Sequence, residues 1–587
     1  MHLYSLLKFY KEFYMENTIQ DTLQQGIMAH KQGNFEDAES FYRKILKISP
    51  AHPDANHNLG IIHINSNKGS TALPFFKLAV ESSPNQEQFW FSYINALISE
   101  NHYNVAINTT KIAQMRGFSQ EKIDILTERL SSLFYNLGVD FHQKNEIKEA
   151  IKYYSLAIDQ RFNSPFAHNN LGIIFEQQGR LSEAETSFTS AVILKHDYFE
   201  AHNNIGNVYK KQNKLKEAKN SFKQAIIINH EYAEAHNNLG VTLKIEGKLN
   251  DAEDCYNVAI KLKPEYADAY YNLGITLQEQ GKFEQAELNF KKMINLNPNF
   301  PDVHFNLGIV YQEMKKIEEA EASFNQAILL KPNFYKAREA LLKCLYVQNK
   351  KLLFLKELDY LINKNRANAV TGSFIGRSNL KYGVKKHNIF CNHPLKYVLN
   401  IDLDTKYNFE RVFVDTSRLI LNERKISNRK QPLLLQGYQT SGNIFEIQNK
   451  LTIEIQKVIR AQIELYRNKF IGSNEGIFQK WPDEYELYGW LIAMKSGGKL
   501  QPHIHEDGWI SGSVYINVPS KLKDNSGKLV VSLGEDKDVE DKKFNSKKII
   551  DVVTGSLVLF PGSLTHYTIP FEAKEERIVL AFDAKPK

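Results

Sequence analysis

The chain has 587 residues, too many for one hydrophobic core, so several domains or a repeat array are expected. With 42% hydrophobic and 24% charged residues it has a folding composition, which excludes a disordered chain. A net charge of +7, from 74 basic and 67 acidic residues, is too slight to mark a nucleic-acid binder.

At the start, Lys8, Lys11 and Glu12 interrupt the apolar residues before a signal-peptide core can form. No stretch reaches the roughly 18 uninterrupted apolar residues of a membrane span. Cys255, Cys344 and Cys391 are too few for a disulfide framework and form no zinc-type pair. A cytoplasmic protein without membrane attachment is expected. Residues 1–18 read as an N-terminal segment, with Met15 a second candidate start.

A period of 34 residues then takes over. The segments AHNNLG (167–172), AHNNIG (201–206), AHNNLG (235–240), AYYNLG (269–274) and VHFNLG (303–308) recur at that spacing. Nine units, starting at 19, 53, 87, 131, 165, 199, 233, 267 and 301, all carry alanine at position 20, from Ala38 to Ala320. Eight carry glycine at position 8, where a small residue lets two helices approach. Aromatics at position 24, such as Phe188, Phe222, Tyr256, Phe290 and Phe324, are expected to fill the gap between neighbouring units. Pro264, Pro298 and Pro332 should end second helices. The pattern resembles the tetratricopeptide repeat, a helix-turn-helix unit. Residues 121–130 read as an insertion that lengthens a second helix, and 335–363 as a terminal helix pair that caps the array over 19–363.

Asparagine stands at position 6 in seven units: Asn58, Asn136, Asn170, Asn204, Asn238, Asn272 and Asn306. This position should line the concave groove, where a carboxamide both donates to and accepts from a peptide backbone. The arrangement resembles the asparagine ladder of the O-GlcNAc transferase repeat domain, which implies a protein or peptide partner. No glycosyltransferase-like domain follows, so only the binding mode transfers. The alternative is that the asparagines bond within their own helix pair. His168, His202, His236 and His304, at position 4, are assigned to repeat packing or groove lining.

Past about residue 363 the period vanishes. Residues 364–484 form a linker and the N-terminal part of a second domain, with an amphipathic helix at 447–470. From 485 to 587 strands dominate: YELYGWLIAMKS, SGSVYINVP, GKLVVSL, KIIDVV, GSLVLFPG and RIVLAFD. The expected fold is therefore multidomain: an all-α tetratricopeptide superhelix, then a mainly-β double-stranded β-helix (jelly roll) with flanking helices.

The chemistry gathers in these strands. His503 and His505, two apart in extended chain, share a face. His566 follows in GSLVLFPGSLTH, and Arg577 comes 11 residues later in the last strand. Three ligands that leave open positions, with a guanidinium fork one strand away, is the layout of a non-haem iron oxygenase. The stretch 490–583, with WLIAMKSGG, QPHIHEDGWISGSVYINVP, GSLVLFPGSLTH and ERIVLAFD, resembles the 2-oxoglutarate- and Fe(II)-dependent oxygenases fused behind tetratricopeptide repeats. CNHPLKYV (391–398) and QPLLLQGYQTSGNIF (431–445) resemble that family's N-terminal part.

The resemblance implies His503, His505 and His566 as iron ligands, Arg577 as the 2-oxoglutarate anchor and Tyr515 as a second hydroxyl donor to it. It also implies 2-oxoglutarate and molecular oxygen as co-substrates of a dioxygenase that hydroxylates a substrate. His505-Glu506-Asp507 is itself an HxD sequence, so Asp507 stays open as the alternative ligand, with His503 then behind the ligands. Two rival readings remain. One is a non-enzymatic scaffold whose jelly roll is inactive or binds sugar. The other is a three-histidine dioxygenase independent of 2-oxoglutarate. His387, Cys391 and His393 also cluster in sequence, with few cues for a site.

Overall fold

The computed structural model describes residues 2–159, 164–422, 428–429, 433–447, 449–520, 525–534 and 546–587. Met1, and Gln431 and Pro432 of the QPLLLQGY stretch, lie outside them. The chain forms two compact units, 1–276 and 277–587, whose boundary falls inside the helix Ala267–Glu279 of the eighth repeat.

In the first unit each repeat is a helix pair, such as Phe199–Lys211 with Leu215–Ile228. Its position-20 alanines, such as Ala184 and Ala218, are fully buried. A Cβ on Gly206 would lie 2.6 Å from the buried Phe222 ring, and one on Gly240 2.7 Å from Tyr256. The aromatic thus fills the space inside its own helix pair, rather than only the gap between units as expected. The turn within each repeat is made at position 15 by a left-handed residue. Gly179 (φ 74°), Asn213 (φ 59°) and Gly247 (φ 77°) serve there, residue types that tolerate that conformation.

The turn before several repeats is closed from position 4. His202 and His236 donate from Nε2 to the carbonyls of His196 and His230, both at 3.1 Å. Asn56 and Trp90 reach Pro50 and Pro84 in the same way. The insertion at 121–130 behaves differently from expectation. It extends the first helix of the fourth repeat, Gln120–Gln143, because the preceding second helix ends at Met115 and the chain turns at Gly117 (φ 77°). The N-terminal segment is likewise continuous with the first repeat helix, His2–Lys31.

In the second unit the repeats continue through Pro301–Glu313, Ile317–Leu330, Tyr335–Val347 and Lys351–Asn363. His304 and Arg338 close their turns on the carbonyls of Pro298 and Pro332. A further helix, Ala369–Tyr382, lies within the expected linker. Asn368 caps it by accepting from the Thr371 N–H, and Gly383 (φ 66°) ends it. Its Phe374 packs against Tyr346 and Phe354 and so covers the last helix pair.

Ten strands follow: β1 (Leu399–Asp402), β2 (Asn428–Arg429), β3 (Leu434–Thr440), β4 (Tyr485–Leu500), β5 (Ile510–Asn517), β6 (Leu529–Ser532), β7 (Lys547–Ile550), β8 (Ser556–Pro561), β9 (Thr565–Thr568) and β10 (Arg577–Pro586). They form an antiparallel seven-stranded sheet, β1-β8-β5-β10-β4-β3-β2, and a three-stranded one, β7-β6-β9. Alternation along β10 decides what faces what. Leu580 and Phe582 join the core that includes Ile459, Ile463 and Tyr466 of the helix Asn449–Lys469. Val579 and Ala581 join the other core, with Ile492, Tyr515 and Val531. Arg577 and Asp583 have the same parity as Val579 and Ala581 and share their face.

Candidate metal centre

Two elements supply the imidazoles. β4 ends at Leu500, and the turn beyond it carries His503 and His505. β9 carries His566, whose backbone pairs with His503 through two hydrogen bonds of 2.9 and 3.2 Å. One ring nitrogen from each of the three lies within 4.8 Å of the others, the one such grouping of potential ligands among the described residues.

Their protons can be placed from their partners. His503 Nδ1 faces the Gln501 carbonyl at 2.8 Å, His505 Nδ1 faces Asp583 Oδ1 at 2.7 Å, and His566 Nδ1 faces the Leu564 carbonyl at 3.4 Å. These oxygens only accept, so Nδ1 carries the proton on each ring and Nε2 keeps its lone pair. His503 Nε2 and His505 Nε2 stand 3.2 Å apart. Two lone pairs at that distance repel unless a cation lies between them, and nitrogens bound to one ion at about 2.1 Å would be spaced in this way. Burial, with the other imidazoles adding to it, pushes His503 down to about 4 and His566 well below its ordinary value. Both are therefore neutral, the form that ligates.

Asp583 is the functional residue that the motif reading missed. Its carboxylate is 3% exposed and also accepts from Ser511 Oγ at 2.7 Å. The available signal was one acidic residue in the apolar strand RIVLAFD. Asp507 is exposed and outside the imidazole grouping.

A small cavity of about 30 Å³ runs from the imidazoles to Arg577 and is also lined by Ser513, Tyr515 and Thr568. Arg577 is 0% exposed. Its Nη1 donates to the Gly527 carbonyl, while Nε and Nη2 have no partner. The guanidinium lies 5.1 Å from the Tyr515 ring centre, and burial lowers its affinity for a proton, with Tyr515 acting in the opposite direction. Such an orphaned cation fits an incoming carboxylate, and the three lone pairs fit a divalent ion.

The structure does not gather His387, Cys391 and His393 into a comparable site. His393 and the Asn392 N–H bond to the Glu475 carboxylate, which ties down this loop, and burial raises the Cys391 thiol. On the repeats, Asn204, Asn238 and Asn272 each donate from Nδ2 to the carboxamide oxygen of the preceding repeat's Asn169, Asn203 or Asn237, at 2.9–3.0 Å. Asn170 donates to the Tyr154 hydroxyl, within range of the same interface. Asn136 is exposed and Asn306 is half-buried.

Among known proteins, the family described as "Putative 2OG-Fe(II) oxygenase" matches residues 488–583. Tetratricopeptide-repeat families match 29–90, 135–197, 206–245, 242–281, 267–300 and 301–334. No curated protein matches the chain. Among solved structures, YrrB, "a TPR protein with an unusual peptide-binding site", is 23% identical, covering 32% of this chain and 96% of its own, with a TM-score of 0.28. PilF of Pseudomonas aeruginosa is 19% identical, covering 36% and 96%, with a TM-score of 0.34. At such scores neither likeness carries an argument. The chain thus joins an array of tetratricopeptide repeats to a C-terminal stretch, residues 488–583, that matches the family described as "Putative 2OG-Fe(II) oxygenase".

Proposed function

We propose that the C-terminal domain is an iron(II)- and 2-oxoglutarate-dependent hydroxylase, and that the repeats bind a protein or peptide. With molecular oxygen, iron and 2-oxoglutarate supply the chemistry that turns a substrate C–H into C–OH and releases succinate and carbon dioxide. His503, His505 and His566 hold the ion through Nε2, and Asp583 keeps the His505 proton on Nδ1. Arg577 receives the far carboxylate on Nε and Nη2, and Tyr515 offers a hydroxyl beside it. Asp507 stays outside this ligand set.

The observation that carries the reading is the fully buried Arg577 with two unpartnered nitrogens, in a cavity that begins at the imidazoles. Neither an inactive jelly roll nor a dioxygenase independent of 2-oxoglutarate gives that cation a task. Anaerobic titration with iron(II) and 2-oxoglutarate tests it. A visible charge-transfer band lost in both His566→Ala and Arg577→Ala is expected. Bound iron without a band would favour the 2-oxoglutarate-independent dioxygenase, and no bound iron would favour the scaffold.

For the repeats, support comes from the asparagines that each spend one N–H on the preceding repeat. That bond holds the side chain in one rotamer and leaves the amide oxygen and second N–H for a peptide unit. The three cysteines, none in a disulfide, suit a reducing compartment, and we place the protein in the cytoplasm. No helix among the described residues is long and apolar enough to cross a membrane.

A further inference from the structure

His503 and His505 also line a much larger cavity of about 710 Å³, which lies wholly within residues 277–587. One wall comes from the terminal repeats, through Glu313, Glu339 and Ala340, and another from the turn after β4, through Glu506 and Asp507. Ala340 stands 34 residues after Asn306, at the same repeat position. The helix face that carries asparagine elsewhere in the array is here a wall of the cavity.

Besides Asp583, four carboxylates therefore line the cavity that the imidazoles open onto. Glu313, Glu506 and Asp507 are exposed and make no ion pair or hydrogen bond among the described residues. Glu339 is half-buried and accepts from Asn368 Nδ2 at 2.7 Å. Burial raises the Glu339 carboxyl and the charge of Glu506 adds to it, against the opposing effects of the Asn368 hydrogen bond and the charges of Arg366 and Lys336. Three cations line the cavity as well: Lys585 lies 4.0 Å over the Tyr488 ring, Arg377 4.4 Å over Tyr346, and Lys343 is exposed. A separate observation also points to a ligand. Thr565, next to His566, lines the same cavity, is 2% exposed, and its Oγ1 has no partner.

We infer that this cavity is the substrate cleft, and that it takes an extended polypeptide segment bearing a lysyl or arginyl side chain, seated between the last repeat helices and the His503–Asp507 turn. The inference rests on the oxygenase reading. A cation among Glu339, Glu506 and Asp507 relieves their mutual repulsion. At about 710 Å³ the cavity exceeds what a single amino acid fills, and its repeat wall makes the terminal repeats part of the active site as well as a docking platform.

Fluorescein-labelled Gly-Ser nonapeptides with a central Lys-Lys, Ala-Ala or Glu-Glu pair test this, by anisotropy on the full chain under nitrogen with iron(II) and 2-oxoglutarate. The Lys-Lys peptide should bind about tenfold tighter than Ala-Ala, and Glu-Glu weakest. The triple change Glu339→Gln, Glu506→Gln and Asp507→Asn should abolish the preference and leave the charge-transfer band intact. Glu506→Gln alone, a change at an exposed site, should already cost about threefold. Equal binding of the three peptides, a preference that survives the triple change, or displacement by lysine amide as effectively as by the peptide would overturn the inference while the band still upheld the oxygenase. Loss of the wild-type band would overturn the oxygenase reading, and the substrate cleft with it.

Discussion

Arg577→Met should move stability and ligand binding in opposite directions. The guanidinium is 0% exposed, bonded once to Gly527 and unpartnered at Nε and Nη2. An unsatisfied buried polar group costs about 1–3 kcal/mol, and an apolar side chain of similar volume in place of a buried charge is often neutral or stabilising by 1–4 kcal/mol. Methionine forfeits the Gly527 bond, at about 1 kcal/mol, so a net gain of about 1–3 kcal/mol is expected, or a Tm rise of a few degrees. The loss of a charge-assisted partner should weaken 2-oxoglutarate binding by about 3–5 kcal/mol, or between about 10² and 10⁴-fold. Thermal unfolding followed by tryptophan fluorescence reads both effects, because Trp481, Trp490 and Trp509 all lie in the oxygenase part. Added 2-oxoglutarate should raise the wild-type Tm and leave the variant unmoved. A variant less stable than wild type, or one that keeps its 2-oxoglutarate-induced shift, would refute the reasoning and make Arg577 a structural cation.

Asp583→Asn should weaken metal binding about 10–100-fold, because Asn no longer holds the His505 proton on Nδ1 by charge; cobalt(II) titration checks this, and an unchanged affinity would remove Asp583 from the site. Gly206→Ala should destabilise the first unit by about 1–3 kcal/mol through the Phe222 ring, whereas Gly376→Ala, whose nearest neighbour would be 3.6 Å away, should gain up to about 1 kcal/mol from helix propensity. Circular dichroism during urea unfolding separates the two. Without metal, His503 is held at about 4 against its ordinary 6.5. The unfolded chain then binds more protons between those values, so this contribution is full above pH 6.5 and falls away as pH drops towards 4. Its size is roughly 2 kcal/mol, reduced from the full shift because His503 is partly exposed. A metal-free Tm that stays flat between pH 7 and pH 4.5 would contradict it.

The repeat array was legible because its packing rule is local: Ala218, Gly206 and Phe222 belong to one helix pair, so the spacing alone exposed them. The three histidines and Arg577 were legible for a different reason, since their residue types match one chemistry in one order. Asp583 was hidden because its task depends on the pairing of β10 with β5, which brings it opposite Ser511. The large cavity was hidden too, since Glu339 and Glu506 meet only through tertiary packing. The insertion was placed on the wrong helix because periodicity shows that residues have been added without showing to which side of a turn.

The turn-closing bonds at repeat position 4 make the array tolerant of sequence drift in a particular way. His202, Asn56, Trp90 and Arg338 differ in size, charge and aromaticity, yet each delivers one planar N–H to the carbonyl six residues earlier. The position therefore specifies a functional group rather than an amino acid. A comparison that scores residue identity would count it as noise, whereas exchange to leucine or phenylalanine at these four positions would leave the turn with a carbonyl and no donor, as Phe134 already does at this position of the fourth repeat.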